Sequence, residues 1–234
     1  MSFYRKFVFI SCLLIPAINS FAKMTLDEID MQKIPKRKVR AYIQGQKHIN
    51  IQKFSDLIPT CCNGQDLTAF HQIEKTYLIK ENINELWEKY KSVSPADLWK
   101  SKMVSFSFLY SMSDNKIMYR DGNYSGIQQG QVLYLNMKLL GGIYNLAIAL
   151  EIVTVDDVNK VIEFSYVNGC KSVGKQIIQL VPTPEGYTRI IHKSFFKSNS
   201  TFRDKALYPV FHNKATKQFH HNVHRKVEHK LSIL

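Results

Sequence analysis

The sequence predicts an α+β protein in which a curved antiparallel sheet wraps around a long C-terminal helix, with two short helices after the first strand. Three observations carry this. Segments 103–111, 131–139, 143–154, 160–168, 173–182 and 187–196 alternate apolar and polar residues with period two. The breaks between them are short and turn-forming: Gly141-Gly142, Asp156-Asp157, Asn168-Gly169 and the run 182–186. Most leave no room for the crossover that parallel strands need. Finally, Leu207, Phe211, Ala215, Phe219, Val223, Val227 and Leu231 recur every fourth residue, with Val210 widening the stripe. Pro209 suits the first turn of such a helix, which is expected from about Tyr208 to Leu231 and has to lie on something apolar.

The 234 residues are 45% apolar and 22% charged, an ordinary globular composition with ample length for a core. Residues 1–22 have a basic start (Arg5, Lys6), an apolar run from Phe7 to Ile18 and a small-x-small end at Ser20-Phe21-Ala22. That order predicts a secretory signal peptide cut near Ala22, and hence a secreted or periplasmic protein. The run is about a dozen residues, short of the roughly 20 that span a bilayer. Residues 23–72 are the least patterned and read as an N-terminal extension, packed on or tethered to a main domain over 73–234. Within the extension, Val39 to Phe54 is ambiguous between strand and helix, and Pro59, Cys61, Cys62, Asn63 and Gly64 read as a loop.

From Ile73 the pattern sharpens. Residues 73–80 read as a strand, Asn82 caps a helix carrying Ile83, Leu86, Trp87 and Tyr90, and Ser94-Pro95 starts a second short helix with Leu98 and Trp99 on its apolar face. In 103–111, Val104, Phe106, Phe108 and Tyr110 are expected to share one face. A short strand at 116–120 precedes the loop at Asp121-Gly122.

Rejecting the charged set of each later strand assigns its inner face. Lys138 puts Leu133, Leu135, Met137 and Leu139 inward; Glu151 does so for Tyr144, Leu146, Ile148, Leu150 and Ile152; Glu163 for Ile162, Phe164 and Tyr166. Lys175 puts Gly174, Gln176, Ile178 and Leu180 inward, and Arg189 with Lys193 puts Thr188, Ile190, His192 and Ser194 there. The result is a mostly apolar inner surface with a few polar groups, the character of a small-molecule site. Tyr110, Tyr144, Tyr166, Gln176, Thr188 and His192, with Phe211 and Phe219 of the helix stripe, are therefore candidate ligand contacts. The alternative is that these polar groups satisfy one another inside a filled core.

The order of strand, Trp87-bearing helix, antiparallel strands and closing helix resembles the START-like (SRPBCC, helix-grip) superfamily over residues 73–230. The resemblance implies an apolar ligand, often a lipid, sterol or polyketide-like molecule, held between sheet and helix. It implies either a carrier or an enzyme of cyclase, hydrolase or dehydratase type, in which His192 with a tyrosine would be the acid–base pair. In the same superfamily the link from the last strand to the helix can border the cavity mouth, which makes Arg203 a further candidate ligand contact, for a carboxylate or phosphate; the alternative is that it pairs with Asp204 or another surface acid.

Other chemistry finds little support. Lys and Arg number 32 against 19 Asp and Glu. Without the leader's two cations the net charge is +11, which favours anionic surfaces; export argues against nucleic acid. The helix is His-rich (His212, His220, His221, His224, His229), and its polar side is expected to be a solvated basic face. Lys214, Lys217, Arg225, Lys226 and Lys230 on that side could meet anionic lipid heads. His220 and His224 lack the intervening Glu of a zinc helix and an evident third ligand, so no metal and no cofactor is expected. Cys61, Cys62 and Cys170 are an odd set without C-x-x-C spacing, and one of the adjacent pair could bridge to Cys170.

Overall fold

The computed structural model describes residues 23–61 and 64–225. The predicted leader, Cys62, Asn63 and the predicted helix positions Val227 and Leu231 lie outside the described residues. One eight-stranded antiparallel sheet organises the chain, in the order β1-β8-β7-β6-β5-β4-β2-β3. The strands are β1 (His71–Ile79), β2 (Val104–Ser111), β3 (Lys116–Tyr119), β4 (Gln131–Leu139), β5 (Tyr144–Asp156), β6 (Val161–Tyr166), β7 (Ser172–Pro182) and β8 (Thr188–Ser198). The helices are α1 (Arg37–His48), α2 (Ile83–Ser92), α3 (Pro95–Leu98) and α4 (Tyr208–Arg225), the last preceded by a π-turn over Arg203–Leu207. The fold class is the one the sequence predicts: a curved antiparallel sheet with a C-terminal helix on it and two short helices after the first strand. Asn82 and Ser94 cap those helices, accepting from the backbone N–H groups of Asn84 and Asp97.

The sheet has a core on each face. Toward α4, Leu133, Leu135, Ile148, Leu150, Ile152, Ile162, Phe164, Tyr166, Ile178, Leu180 and Ile190 meet Leu86, Trp87, Tyr90, Phe219 and Val223. This is the inner face assigned by charge rejection. The opposite face is covered by the extension. Leu26, Ile29, Ile34, Val39, Ile43, Ile51, Phe54 and Leu57 bury against Phe108 and Tyr110 of β2, Val132 and Tyr134 of β4, and Ala147 and Ala149 of β5. The ambiguous stretch from Val39 is helix α1, which continues to His48. Thr60 ties the end of the extension to the sheet: its N–H donates to the Tyr166 carbonyl (2.7 Å) and its hydroxyl accepts from Gly174 N–H (3.1 Å). Gly174 is required there, because at φ +141° an added Cβ would stand 1.9 Å from the Phe195 carbonyl oxygen.

One face assignment is corrected. The pairing of β2 with β4 slips between Phe106 and Phe108. An extra residue at that bulge reverses the alternation. Val104 and Phe106 stay on the inner face, whereas Phe108 and Tyr110 turn to the extension. Cys170 is a free thiol rather than half of a bridge to Cys61; its sulfur lies 3.0 Å from the Tyr42 hydroxyl.

Candidate functional site

Between the inner face and α4 lies a slot. Its walls are Val104, Leu135, Met137, Leu139, Leu146, Ile148 and Leu150 from the sheet and Leu207, Phe211 and Ala215 from the helix, with Trp99 beside them. The cavity volume is about 70 Å³. It is therefore a narrow slot and not a wide chamber. Lining residues on the helix run from Arg203 to Thr216.

Polar groups interrupt the apolar walls at defined places. Arg203 lines the slot at the end where β8 leaves the sheet, and its guanidinium donates to Ser198 Oγ (3.1 Å) and to Asn199 Oδ1 (2.6 Å), both neutral. No carboxylate lies within ion-pair distance of it among the described residues. Its neighbour Asp204 instead accepts from the Ser198 hydroxyl (2.6 Å) and backbone N–H (2.9 Å). Farther in, the buried His212 has Nε2 2.7 Å from Ser194 Oγ, while its Nδ1 has no partner. Ser194 has no other acceptor in reach, so its O–H donates to Nε2, and the neutral imidazole carries its proton on Nδ1. Trp99 Nε1–H is a second buried donor without a partner. One cation, Arg203, and two residues with unpaired N–H donors, His212 and Trp99, thus line the slot.

Behind the wall runs a chain of hydrogen bonds. His192 Nε2 is 3.0 Å from Gln176 Oε1, His192 Nδ1 is 2.9 Å from His220 Nε2, and His220 Nδ1 is 2.5 Å from the Tyr90 hydroxyl. Since Gln176 Oε1 can only accept, His192 donates from Nε2; His220 then donates from Nε2 to His192 Nδ1, and the Tyr90 O–H donates to His220 Nδ1. Every member is satisfied with both rings neutral. Burial keeps them so. It pushes His220 down to about 3 and His212 down to about 4, and holds His192 well below the usual imidazole range, with His220 and His212 adding to the effect on His192.

The predicted contacts divide accordingly. Tyr166, Gln176, Arg203 and Phe211 line the slot. His192 lies one residue behind, screened by Gln176, with both ring nitrogens engaged. Phe219 packs against Trp99 at 4.8 Å, at the inner end. Three tyrosine and threonine assignments are corrected. Tyr110 faces the extension because of the bulge. Tyr144 is exposed at the start of β5, its hydroxyl 3.4 Å from Lys171 Nζ. Thr188 is buried where β8 begins, donating to the Glu81 carbonyl (2.8 Å). The solvated His-rich face is also corrected: His212, Thr216 and His220 are buried against the sheet, and His224 Nδ1 lies 2.5 Å from Glu81 Oε1, so His220 and His224 do not converge. The spacing of Tyr208, His212, Thr216 and His220, an uncharged row beside the apolar stripe, was the available signal. Among the described residues no group of three or more His, Cys, Asp or Glu side chains is placed to hold a metal ion.

No family model matches the sequence, and no curated protein matches it. Solved structures do. A point mutant of norcoclaurine synthase from Thalictrum flavum, in complex with a transition-state analogue, is 14% identical with a TM-score of 0.51 over 71% of this chain and 99% of that one. KanY protein is 11% identical with a TM-score of 0.50 over 69% of this chain and 99% of that one. At such identities the likeness is one of architecture: the chain shares with these structures the helix-grip arrangement of a curved antiparallel sheet and a C-terminal helix.

Proposed function

We propose that this protein is an exported carrier that holds a slim amphipathic molecule, a single apolar chain with an anionic head, in the slot between sheet and α4. The carrying observation is the slot itself: mostly apolar, narrow, and lined by Arg203, whose guanidinium makes no direct ion pair among the described residues. The narrowness favours an unbranched chain over a fused-ring molecule. Arg203 suits a carboxylate, which it can grip through its fork of donors. The unpaired N–H groups of His212 and Trp99 suit an oxygen acceptor along the chain. Export rests on the basic, apolar and small-x-small order of residues 1–22.

Displacement of a fluorescent fatty-acid analogue tests the reading. Dodecanoate should displace the probe, and Arg203→Gln should weaken dodecanoate about tenfold while leaving dodecanol unchanged. Ala215→Trp, which fills the slot, should abolish both. Probe binding that survives Ala215→Trp in a folded protein would place the ligand elsewhere and refute the proposal.

A further inference from the structure

We propose that the mouth end of the slot is a membrane-docking surface, which seats on a bilayer containing anionic lipid. This goes beyond the carrier reading and stands on a different set of residues. The β4–β5 hairpin, the β6–β7 turn and the link from β8 to the π-turn lie at one end of the sheet, together with the α3–β2 link and the segment before β1, which carries the exposed Asp66. Their common location follows from the register, which pairs Leu139 with Tyr144 and Ser172 with Ser198. Leu139, Ser172 and Arg203 all line the slot.

The loops carry large apolar side chains into solvent. Ile143 is 90% exposed, Phe202 68% and Leu140 53%. Single exposed apolar residues are ordinary; several on the loops around one opening are not. The hairpin tip is also built at a cost to its backbone. Leu140 sits at φ +50°, a region that a residue with a Cβ seldom occupies, followed by Gly141 at +69° and Gly142 at +101°. Asn145 Nδ2 donates to the Gly142 carbonyl (2.9 Å), but no side chain packs on the tip: nothing lies within 4 Å of where a Cβ on Gly141 or Gly142 would be, and Leu140 and Ile143 on either side are exposed.

Charge completes the case. Lys138, Lys171, Lys197 and Lys205 are exposed on these loops and their flanks, with Arg203 among them. Of the acids in the same segments, Asp204 is buried and held by Ser198, and Asp66 is exposed. Apolar tips surrounded by cations match an interface of acyl chains beneath anionic heads. The flank of α4, expected from sequence to be the basic membrane face, fits less well. Lys214, Lys217, His221 and Arg225 are exposed or half-exposed there, but Val210 is its one large exposed apolar residue among the described residues. Docking by the mouth would let a chain pass between bilayer and slot without crossing water.

Sedimentation with vesicles of phosphatidylcholine alone, or with a quarter phosphatidylglycerol, decides the matter. The wild-type chain lacking residues 1–22 should bind the anionic vesicles and not the neutral ones. Ile143→Asp with Phe202→Asp should reduce that binding about tenfold or more. Lys171→Glu with Lys197→Glu should reduce it by a similar factor, since each cation near an anionic surface contributes about a fivefold preference. Lys214→Glu with Lys217→Glu should change it less than twofold. All these positions are on the surface, and circular dichroism should show each variant folded. Absence of binding by the wild type, or binding lost in the flank variant but kept in the tip variant, would overturn the proposal. Retained displacement of the fatty-acid probe by the tip variant in solution separates this result from any failure of the carrier reading.

Discussion

Phe54→Ala should lower the unfolding free energy by about 3–5 kcal/mol, the range for removing a large buried aromatic side chain. Phe54 is fully buried, its ring stacked on Tyr110 with centroids 3.9 Å apart and edge-on to Phe108 (6.5 Å) and Tyr134 (6.4 Å). These three rings come from β2 and β4, so one side chain of the extension closes the face of the sheet opposite α4. Urea unfolding measures the loss, with exposed Ile58→Ala as a control expected within about 0.5 kcal/mol of wild type. A loss below about 1 kcal/mol for Phe54→Ala would mean that the extension is tethered to the sheet and contributes little to its stability.

His220→Leu should cost about 2–5 kcal/mol, because it leaves the Tyr90 hydroxyl and His192 Nδ1 buried without partners, each at about 1–3 kcal/mol. The double variant Tyr90→Phe with His220→Leu should recover part of that loss, since it removes one orphaned group. The pH dependence supplies a second readout. His192, His212 and His220 all have folded-state values held below the ordinary 6.5, so below pH 6.5 the unfolded chain binds more protons and stability falls as pH drops toward the folded values. Each imidazole contributes up to about 1.4 kcal/mol per pH unit in that window. Glu151 acts against them: burial raises its carboxyl to about 7, so between about pH 4.5 and 7 the folded state holds the extra proton and stability falls as pH rises. Three imidazoles outweigh one carboxyl, and wild-type stability should decline from pH 6.5 to 5. The decline should be shallower in His220→Leu. A wild-type protein more stable at pH 5 than at 6.5 would show that the imidazoles are not held neutral.

The sheet and closing helix were legible in the sequence because both rest on simple periods. Charge on one side of each later strand fixed its inner face, and Leu135, Ile148, Tyr166 and Gln176 stand where that rule put them. The bulge was not legible. Ser105 and Ser107 alternate with aromatic residues on both sides, so nothing in the composition marks an inserted residue, and Tyr110 changed faces as a result. The packing role of the extension was hidden for another reason. Its buried residues are spread over short 3-10 turns and one helix, and no single period relates Leu26, Ile34, Ile43 and Phe54. In α4 the apolar stripe was read too narrowly. The sheet covers the adjacent row as well, and histidines assigned to water became the inner polar chain and the donor in the slot wall.

Isotope-filtered NMR of the protein with bound dodecanoate tests most directly whether the slot is a site. Cross-peaks should join the alkyl chain to the methyl groups of Leu135, Ile148 and Ala215, and the protons next to the carboxylate to Arg203. Cross-peaks confined to Leu140 and Ile143 on the outside, or none to any methyl of the slot, would contradict the idea that sheet and helix enclose a place for a ligand.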